Sequence, residues 1–280
     1  MSGIRGKVCA VTGAGSGIGR ALALVLAQRG ARLALADRDE VGLQATAEAA
    51  RAAGVEVHAQ PLDVSDRDAV VAWADAVAAQ FGVVHQIYNN AGIAFSRTVL
   101  ESEWADYERV FAVNLWGVIH GTKAFLPHVI ASGDGHVINI SSLNGYLAQR
   151  EMSHYCTSKF AVRGFTETLR TEMLDAGHPV GVTVVHPGGI RTSIADNALE
   201  AARALGQPIT DADEARRRMY NDKLLRMDPA DAAQTIVKGV ESGSSRVRVG
   251  NDAKVVDLIV RALPAVYPRL MVAFEKRFRR

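Results

Sequence analysis

The chain has 280 residues, of which 48% are apolar and 22% are charged, so wholesale disorder is excluded. Its 32 basic and 30 acidic residues leave a net charge of +2, which gives no general attraction to nucleic acid. The two cysteines, Cys9 and Cys156, exclude a disulfide framework and a zinc site built from cysteines.

Seven short runs rich in β-branched residues alternate with alanine-rich amphipathic stretches. The strands are predicted at 7–12, 32–36, 56–59, 84–89, 136–140, 181–186 and 246–249. The helices are predicted at 17–29, 40–53, 66–80, 106–131, 155–176 and 229–242, and Pro127 should kink or end the fourth of them. Strands that are apolar at nearly every position and alternate with helices predict one α/β domain, a doubly wound parallel sheet covered on both faces.

The N-terminal segment lacks the apolar core of a signal peptide, because glycines interrupt its first apolar stretch. No run reaches the ~18 apolar residues that a membrane span requires. We therefore expect a cytoplasmic protein with both thiols reduced.

A glycine-rich stretch follows the first predicted strand and opens the first predicted helix. Its candidate binding residues are Gly13, Gly15, Ser16, Gly17, Ile18 and Gly19. Glycine lets the backbone approach a pyrophosphate, to which the helix N-terminus offers free N–H groups and a positive dipole end. The stretch predicts a dinucleotide phosphate site; the alternative is a strand–helix turn that binds nothing.

An acidic residue, Asp37, follows the second predicted strand and lies 18 residues past Gly19. A carboxylate there accepts hydrogen bonds from the adenosine ribose hydroxyls and repels a 2′-phosphate, which favours NAD. Arg38 comes next and leaves NADP open, because a guanidinium group can bind that phosphate. The alternative for Arg38 is a solvated surface arginine.

Two later strand ends add candidate cofactor residues. Asp63 and Val64 follow the third strand, where a carboxylate can accept from an adenine amino group; the alternative is a helix N-cap near Ser65. The end of the fourth strand contributes Asn90, Ala91 and Gly92. These three are equally typical of a plain turn.

Tyr155 and Lys159 stand at the start of the predicted helix 155–176, and the i, i+4 spacing puts both on one face. An ammonium beside a phenol favours the phenolate and so lowers the pKa of the phenol toward working pH, which makes it a useful base. Alone, the spacing is equally typical of a surface pair.

Two polar residues strengthen the catalytic interpretation of this pair. Ser142 ends the fifth strand, at the carboxyl edge where doubly wound sheets bind ligands. Asn114 lies within an apolar helical pattern, where a polar amide is costly unless it is satisfied. Its alternative is a structural asparagine bonded to neighbouring backbone.

Taken in order, these motifs over about residues 5–250 resemble the short-chain dehydrogenase/reductase family. The resemblance rests on T-G-x-x-x-G-I-G, the acid after the second strand, N-N-A-G, N-x-x-G, a serine, Y-x-x-x-K and a P-G motif. It implies a Rossmann-like sheet with strand order 3-2-1-4-5-6-7 and an NAD(P)-dependent oxidoreductase that interconverts a secondary alcohol and a ketone.

The resemblance also implies roles for individual residues. Tyr155 would be the acid/base, and Lys159 would bind the nicotinamide ribose and tune Tyr155. Ser142 would hold the substrate oxygen, and Asn114 would anchor a proton-relay water. The P-G motif would contact the nicotinamide carboxamide through Ile190 backbone and the Thr192 hydroxyl, with Pro187 and Gly188 before them.

The polar, helical segment 190–227 would form a substrate lid, as the equivalent segment of the family does. The candidate pocket residues are Ser142, Leu143, Asn144, Met152 and Ile194. They are mostly apolar, so we expect a lipophilic substrate. Arg150 and Arg191 lie nearby and leave an acidic or thioester substrate open, as in the family's acyl-thioester ketoreductases.

Two further functions compete with this interpretation. An extended-type epimerase or dehydratase shares Y-x-x-x-K, but the glycine spacing and the chain length argue against it. A non-catalytic nucleotide-sensing protein of the same fold is the other, since a fold does not fix a function. Such proteins tend to lose the tyrosine or the lysine, and both are present here.

Residues 251–280 follow the last strand as an apolar extension of the domain 1–250, with seven basic and three acidic residues. In one interpretation 255–263 packs on the domain or across an oligomer axis. In the other the extension makes weak peripheral contact with a membrane. Its lipid-facing and headgroup-facing residues would then be Leu263, Tyr267, Leu270, Met271, Phe274, Phe278, Lys276, Arg277, Arg279 and Arg280.

The spacing of the eight histidines gives no metal-ligand pattern, so we expect no catalytic metal. His154 is expected to line the pocket or lie at the surface. The family commonly forms dimers and tetramers through the long helices before and after the fifth strand. The resemblance therefore implies a homodimer or homotetramer with a small-molecule substrate and no nucleic acid.

Overall fold

The computed structural model describes residues 3–204, 206 and 209–278. Its seven-stranded sheet is parallel throughout, with the order β3-β2-β1-β4-β5-β6-β7. The strands are β1 (Val8–Thr12), β2 (Arg32–Asp37), β3 (Val57–Pro61), β4 (Gln86–Asn89), β5 (Gly135–Ile140), β6 (Val180–Pro187) and β7 (Arg246–Val249). The predicted doubly wound sheet and its strand order are confirmed.

The helices alternate with the strands as the sequence pattern predicts. In chain order they are α1 (Gly17–Gln28), α2 (Glu40–Ala52), α3 (Arg67–Phe81), α4 (Trp104–Phe111), α5 (Gly117–Ala131), α6 (Ser153–Asp175), α7 (Ile194–Ala204), α8 (Asp211–Met219), α9 (Pro229–Glu241), α10 (Asn251–Ala262) and α11 (Tyr267–Phe278). A 3-10 turn spans Leu143–Gly145, and two π-helical segments span Ala112–Trp116 and Tyr220–Leu224.

Two hydrophobic cores lie on opposite faces of the sheet. One contains the buried faces of α1, α2 and α9, with Leu26, Leu43 and Ile236 fully buried. The other contains α3, α5 and α6, where the rings of Trp73 and Phe125 pack edge to face at 4.9 Å. Because both faces are covered, every residue of β1 and β5 is buried, which explains their nearly continuous apolar sequences.

The fourth predicted helix, 106–131, is not continuous in the structure. It is divided into α4, the π-helical segment Ala112–Trp116 and α5. Pro127 lies inside α5, which continues beyond it to Ala131, and the kink expected at Pro127 stays a prediction. Proline removes one N–H donor, and one lost hydrogen bond near a helix end is offset by the packing of Phe125 and Val129 in the core.

Two regions lie outside the strand–helix alternation. The predicted lid segment contains α7 and α8, and residues 251–278 form α10 and α11, to which the sequence analysis assigned no secondary structure. Within the described residues, no helix combines the length and the apolar character that crossing a bilayer requires.

Candidate active site

The carboxyl ends of the central strands open into a cleft of about 2980 Å³. Most of the candidate residues line it: Gly13, Ser16, Gly17, Ile18, Asp37, Arg38, Asp63, Val64, Asn90, Ala91, Gly92, Ser142, Leu143, Asn144, Met152, Tyr155, Lys159, Pro187, Gly188, Ile190, Thr192 and Ile194. Gly15, Gly19 and Asn114 do not line the cleft and lie behind its surface. Residues up to 181 positions apart in sequence thus border one space.

The glycine-rich turn between β1 and α1 needs its glycines for contacts within the chain itself. Gly13 has φ +68°, and a Cβ there would lie 2.8 Å from Cα of Ala91. A Cβ on Gly19 would lie 1.9 Å from the Gly13 carbonyl oxygen. A side chain at either position would therefore force the turn away from the end of β4, in addition to the expected obstruction of a pyrophosphate.

Asp37 holds this turn from the end of β2. Its carboxylate accepts a 2.8 Å hydrogen bond from the Gly15 N–H and a 2.9 Å bond from the Asp39 N–H. The side chain remains half-buried at the cleft, and exposed Arg38 follows it. The carboxylate is therefore fixed at the place where the ribose of a dinucleotide would lie, so these residues fit such a cofactor.

Thr12 joins the glycine-rich turn to the end of β4, and the sequence analysis did not select it as a site residue. Its hydroxyl accepts hydrogen bonds from the N–H groups of Asn90 and Ala91, at 3.0 and 3.1 Å. The Asn90 amide donates to the carbonyls of Thr12 and Gly13, at 3.0 and 3.2 Å. Asn90 is therefore more than a turn residue. The signal that could have identified Thr12 was its place as the first residue of the T-G-x-x-x-G-I-G motif.

The adenine-side candidates have structural partners in the chain. The Asp63 carboxylate accepts from the N–H and the hydroxyl of Ser65, at 2.9 and 2.7 Å. The Val64 carbonyl accepts a 3.0 Å hydrogen bond from His120 Nδ1. The N-cap of α3 is Asp66, one residue after the predicted cap near Ser65.

Tyr155 and Lys159 lie on one side of the first turns of α6, as their spacing predicts. Both are buried, and Lys159 Nζ stands 5.8 Å from the centroid of the Tyr155 ring. The ammonium donates a 3.0 Å hydrogen bond to the carbonyl of Ile140 at the end of β5. Burial lowers the pKa of the Lys159 ammonium to about 8, so it is charged at neutral pH but close to its titration.

Ser142 is held beside this pair by the loop that follows β5. Its hydroxyl accepts a 3.1 Å hydrogen bond from the Asn144 N–H, and its carbonyl accepts a 2.7 Å bond from His186 Nδ1. The Asn144 amide donates within the same loop, to the Leu147 carbonyl and the Gln149 side chain. Asn144 therefore stiffens the loop, although it was selected from the sequence only as a pocket residue.

Asn114 occupies the π-helical segment between α4 and α5. It is fully buried, and its amide pairs with Ile93, accepting from the N–H at 2.8 Å and donating to the carbonyl at 2.9 Å. Its NH₂ also donates to the Ser158 hydroxyl at 3.3 Å. Asn114 thus makes the backbone hydrogen bonds expected of a structural asparagine. Its role in a proton relay stays a prediction.

The P-G motif at the end of β6 is followed by Thr192, which lies close to the glycine-rich turn. The methyl group of Thr192 lies 3.1 Å from the position that a Cβ on Gly17 would take. The Ile190 N–H donates to the Gly188 carbonyl at 3.0 Å, and the Gly189 N–H donates to Asp252 at 2.6 Å. Asp252 belongs to α10, so the C-terminal extension contributes to this loop, a contact that the sequence did not indicate.

Two buried histidines flank the candidate catalytic residues. The expectation that His154 lines the pocket or lies at the surface is wrong, because its side chain is fully buried against Phe95 and Tyr107. His186, which the sequence analysis did not select, supports the Ser142 carbonyl, and burial lowers the pKa of its imidazole to about 4. Among the described residues, no cluster of three histidine, cysteine or acidic side chains is suited to hold a metal ion.

The sheet, the glycine-rich turn and the Tyr155–Lys159 pair agree with a known protein family. Residues 7–203 match the sequence model of the short chain dehydrogenases, well over half of the chain. The chain belongs to the short-chain dehydrogenase/reductase family. It is thus an oxidoreductase of that family, and the resemblance drawn from its motifs is confirmed.

Three members of the family illustrate what this chain is similar to. SadH of Mycobacterium tuberculosis, named only as an oxidoreductase, is 53% identical over 99% of this chain and 98% of its own. A short chain dehydrogenase/reductase from Burkholderia phymatum, solved in complex with NAD, is 34% identical with a TM-score of 0.85, covering 98% and 97% of the two chains. The mouse epidermal retinol dehydrogenase 2 is 38% identical over 78% of this chain and 71% of its own.

Proposed function

We propose that this protein is an NAD-dependent dehydrogenase that interconverts a secondary alcohol and a ketone, with Tyr155 as acid/base. The observation that supports it most directly is the buried pair of Tyr155 and Lys159 at the cleft, 5.8 Å apart from ring centroid to Nζ, with Ser142 at the adjoining strand end. Reversible hydride transfer is the chemistry that a bound nicotinamide supplies.

The protein's side chains would transfer the proton and bind the substrate oxygen. During oxidation Tyr155 removes the proton of the alcohol, and during reduction it returns a proton to the ketone oxygen. The Ser142 hydroxyl donates a hydrogen bond to that oxygen, while the Lys159 ammonium favours the phenolate of Tyr155 and binds the nicotinamide ribose. Asn114, in this proposal, holds the water through which the proton leaves.

The preference for NAD rests on Asp37. Its side chain is held at the cleft by hydrogen bonds from the Gly15 and Asp39 N–H groups, where a carboxylate would accept from the adenosine ribose hydroxyls and repel a 2′-phosphate. The family relative from Burkholderia phymatum was solved with NAD. Arg38, exposed beside Asp37, is the feature that favours the NADP alternative.

Replacing Asp37 tests the cofactor preference. In Asp37→Ser we expect kcat/KM with NAD to fall and kcat/KM with NADP to rise, because the repelling charge is gone. Arg38→Ala is the matched variant, and it should reduce only the activity with NADP. Equal use of both cofactors by the wild-type protein, unchanged in Asp37→Ser, would contradict the assignment.

A lipophilic substrate is supported by the apolar candidates Leu143, Met152 and Ile194 at the cleft. The two arginines that favour an acidic or thioester substrate are both ion-paired, Arg150 with Glu151 and Arg191 with Asp228. A thioester ketoreductase is therefore the second candidate. Segment 190–227 would act as the lid, since residues from both α7 and α8 line the cleft.

The direct test is absorbance at 340 nm with both cofactors and a panel of secondary alcohols, ketones and 3-ketoacyl thioesters. We expect NAD-dependent oxidation of apolar secondary alcohols. Turnover confined to thioesters would favour the second candidate. Tight cofactor binding without turnover across the panel would favour the nucleotide-sensing alternative.

A homodimer or homotetramer is supported by apolar side chains on the helices before and after β5. Trp116, next to α5, is 52% exposed, and Phe160 on α6 is 42% exposed. Both would be covered by a second copy packed on these helices. Light scattering should therefore report an oligomer that Trp116→Arg together with Phe160→Arg dissociates.

A further inference from the structure

The C-terminal extension is attached directly to the loops that carry the candidate catalytic residues. The Tyr146 hydroxyl, three residues after the 3-10 turn begins, donates a 2.9 Å hydrogen bond to the Ala253 carbonyl of α10. The Ala148 N–H donates to the Tyr267 hydroxyl of α11 at 3.3 Å. With the bond from Gly189 to Asp252, these contacts fix both helices relative to Ser142 and the P-G motif.

The extension presents an apolar surface to the cleft. Its apolar lining residues on the two helices are Val255, Val256, Ile259, Val260, Leu270 and Met271. The four on α10 recur at the spacing of one helical face. Ile259 and Leu270 are 38% and 48% exposed, so this face has little cover from the rest of the chain.

The charged side chains of α10 that reach the cleft are confined to its first turn. Asp252 and Lys254 line the cleft from the first turn, where Asp252 binds the Gly189 N–H. Asp257 is buried between Arg248 and Arg261, at 3.0 and 2.8 Å. Beyond its first turn, α10 therefore offers the cleft aliphatic side chains only.

The face is continuous with the candidate active site. Tyr155, Ser142, Ile259 and Leu270 border the same cleft, whose size of about 2980 Å³ exceeds the roughly 1,000 Å³ upper range of small-ligand pockets. The cleft can therefore take a dinucleotide and an extended second ligand. Leu258, 68% exposed on the same helix, lies outside the cleft, so the apolar lining is a property of one face.

From this continuity we infer that α10 and α11 bind the apolar part of the substrate, and that the substrate class is secondary alcohols or ketones with an extended apolar chain. The inference rests on the proposed function, because Tyr155 fixes the reacting end. The family model matches residues up to 203, so the apolar face of α10 and α11 lies outside the matched segment.

A homologous series of 2-alkanols from 2-butanol to 2-decanol tests the inference with the full-length protein and NAD. Each buried methylene should raise kcat/KM by up to about fourfold, the equivalent of ~0.8 kcal/mol. Ile259→Asp should lower the ratio of kcat/KM for 2-decanol over 2-butanol at least tenfold. Leu258→Asp is the matched control, one residue away and outside the cleft, and should leave this ratio unchanged.

Leu270→Asp and its neighbour Val272→Asp provide a second matched pair if Ile259→Asp does not fold, since Leu270 lines the cleft and Val272 does not. A flat chain-length profile in the wild-type protein, or equal effects of both members of a pair, overturns the inference while oxidation of 2-butanol leaves the proposed function standing.

A binding measurement separates the two if no alkanol is oxidised. Calorimetry of 2-decanone and 2-butanone with the NADH complex should then still show tighter binding of the longer ketone, lost in Ile259→Asp and retained in Leu258→Asp. Equal affinities for both ketones would overturn the inference independently of turnover.

Discussion

The carboxyl ends of β1, β4 and β5, with Lys159 beside them, form the strand edge of the cleft, and α10 and α11 form its helical wall. The two regions border the same cleft but are held in different ways. At the edge, Thr12, Asn90 and Lys159 each donate or accept hydrogen bonds to backbone of other elements, so their atoms are fixed. On the wall, Ile259 and Leu270 are partly exposed aliphatic side chains. The difference teaches that fixed polar groups suit a reaction centre, whereas an unbonded apolar wall suits a chain of variable length.

The largest expected effect comes from the reaction centre itself. Tyr155→Phe should lower kcat by about 10²- to 10⁴-fold, because it removes a general acid/base, while the dissociation constant for NADH stays unchanged. Steady-state kinetics and NADH fluorescence titration measure the two. Normal turnover by this variant would break the contrast, since the edge would then not hold the proton-transfer group.

The second prediction concerns the free-energy cost of burying the Lys159 ammonium at the strand edge. Folding lowers the pKa of Lys159 from 10.5 to about 8, so the unfolded chain binds more protons than the folded one between these values. Stability should therefore rise with pH across this window, by about 3 kcal/mol in total at ~1.4 kcal/mol per pKa unit. The full cost is present below pH 8.

Urea unfolding of the wild-type protein and of Lys159→Met from pH 7.5 to 10.5 measures this effect. Other groups titrate in both proteins, so the difference between their free energies of unfolding isolates Lys159. Two parallel curves would show that the ammonium is not destabilised by burial.

Alanine substitutions at two glycines distinguish the cost of a positive φ from the cost of a steric contact at the strand edge. Gly13 and Gly54 both have positive φ, but a Cβ on Gly54 meets nothing within 4 Å, whereas one on Gly13 meets Ala91 at 2.8 Å. Gly54→Ala should cost only the roughly 1–2 kcal/mol of a left-handed residue in urea unfolding. Gly13→Ala should in addition weaken NADH binding by about tenfold or more, ~1.4 kcal/mol. Equal NADH affinities in the two variants would argue against the contact.

The smallest expected effect lies where the two regions meet. Tyr146→Phe removes the hydrogen bond to the Ala253 carbonyl and should lower the free energy of unfolding by about 1 kcal/mol. We expect kcat for 2-butanol to stay at the wild-type value, because Tyr146 does not line the cleft. A large fall in kcat would show that the attachment of α10 also controls the geometry of the residues at the strand edge.

The membrane contact of the extension stays a prediction. Three of its proposed lipid-facing residues, Tyr267, Leu270 and Met271, line the cleft instead of facing away from it. The side chains of Phe274, Lys276, Arg277 and Phe278, and all of Arg279 and Arg280, lie outside the described part of the chain. The packing alternative for 255–263 also stays a prediction: Asp257 is buried, whereas Val255 and Leu258 are exposed.

The sequence by itself determined the parallel sheet with its covering helices and most of the residues that border the cleft, while the strand order followed from the family resemblance. Those signals are local: apolar runs for β1 and β5, a glycine-rich turn before α1, and a tyrosine and lysine one helical turn apart. Each depends on residues within a few positions of one another, which is the range over which backbone preference and periodicity act.

The tertiary structure decided what the local pattern does not encode. The burial of His154, the support of Ser142 by His186, and the bond from Tyr146 to Ala253 join residues on different elements, up to 107 positions apart. Such contacts follow from how packed elements come to rest against one another. That is also why the extension, which from its sequence could pack, oligomerise or meet lipid, became a wall of the cleft only once its helices were placed.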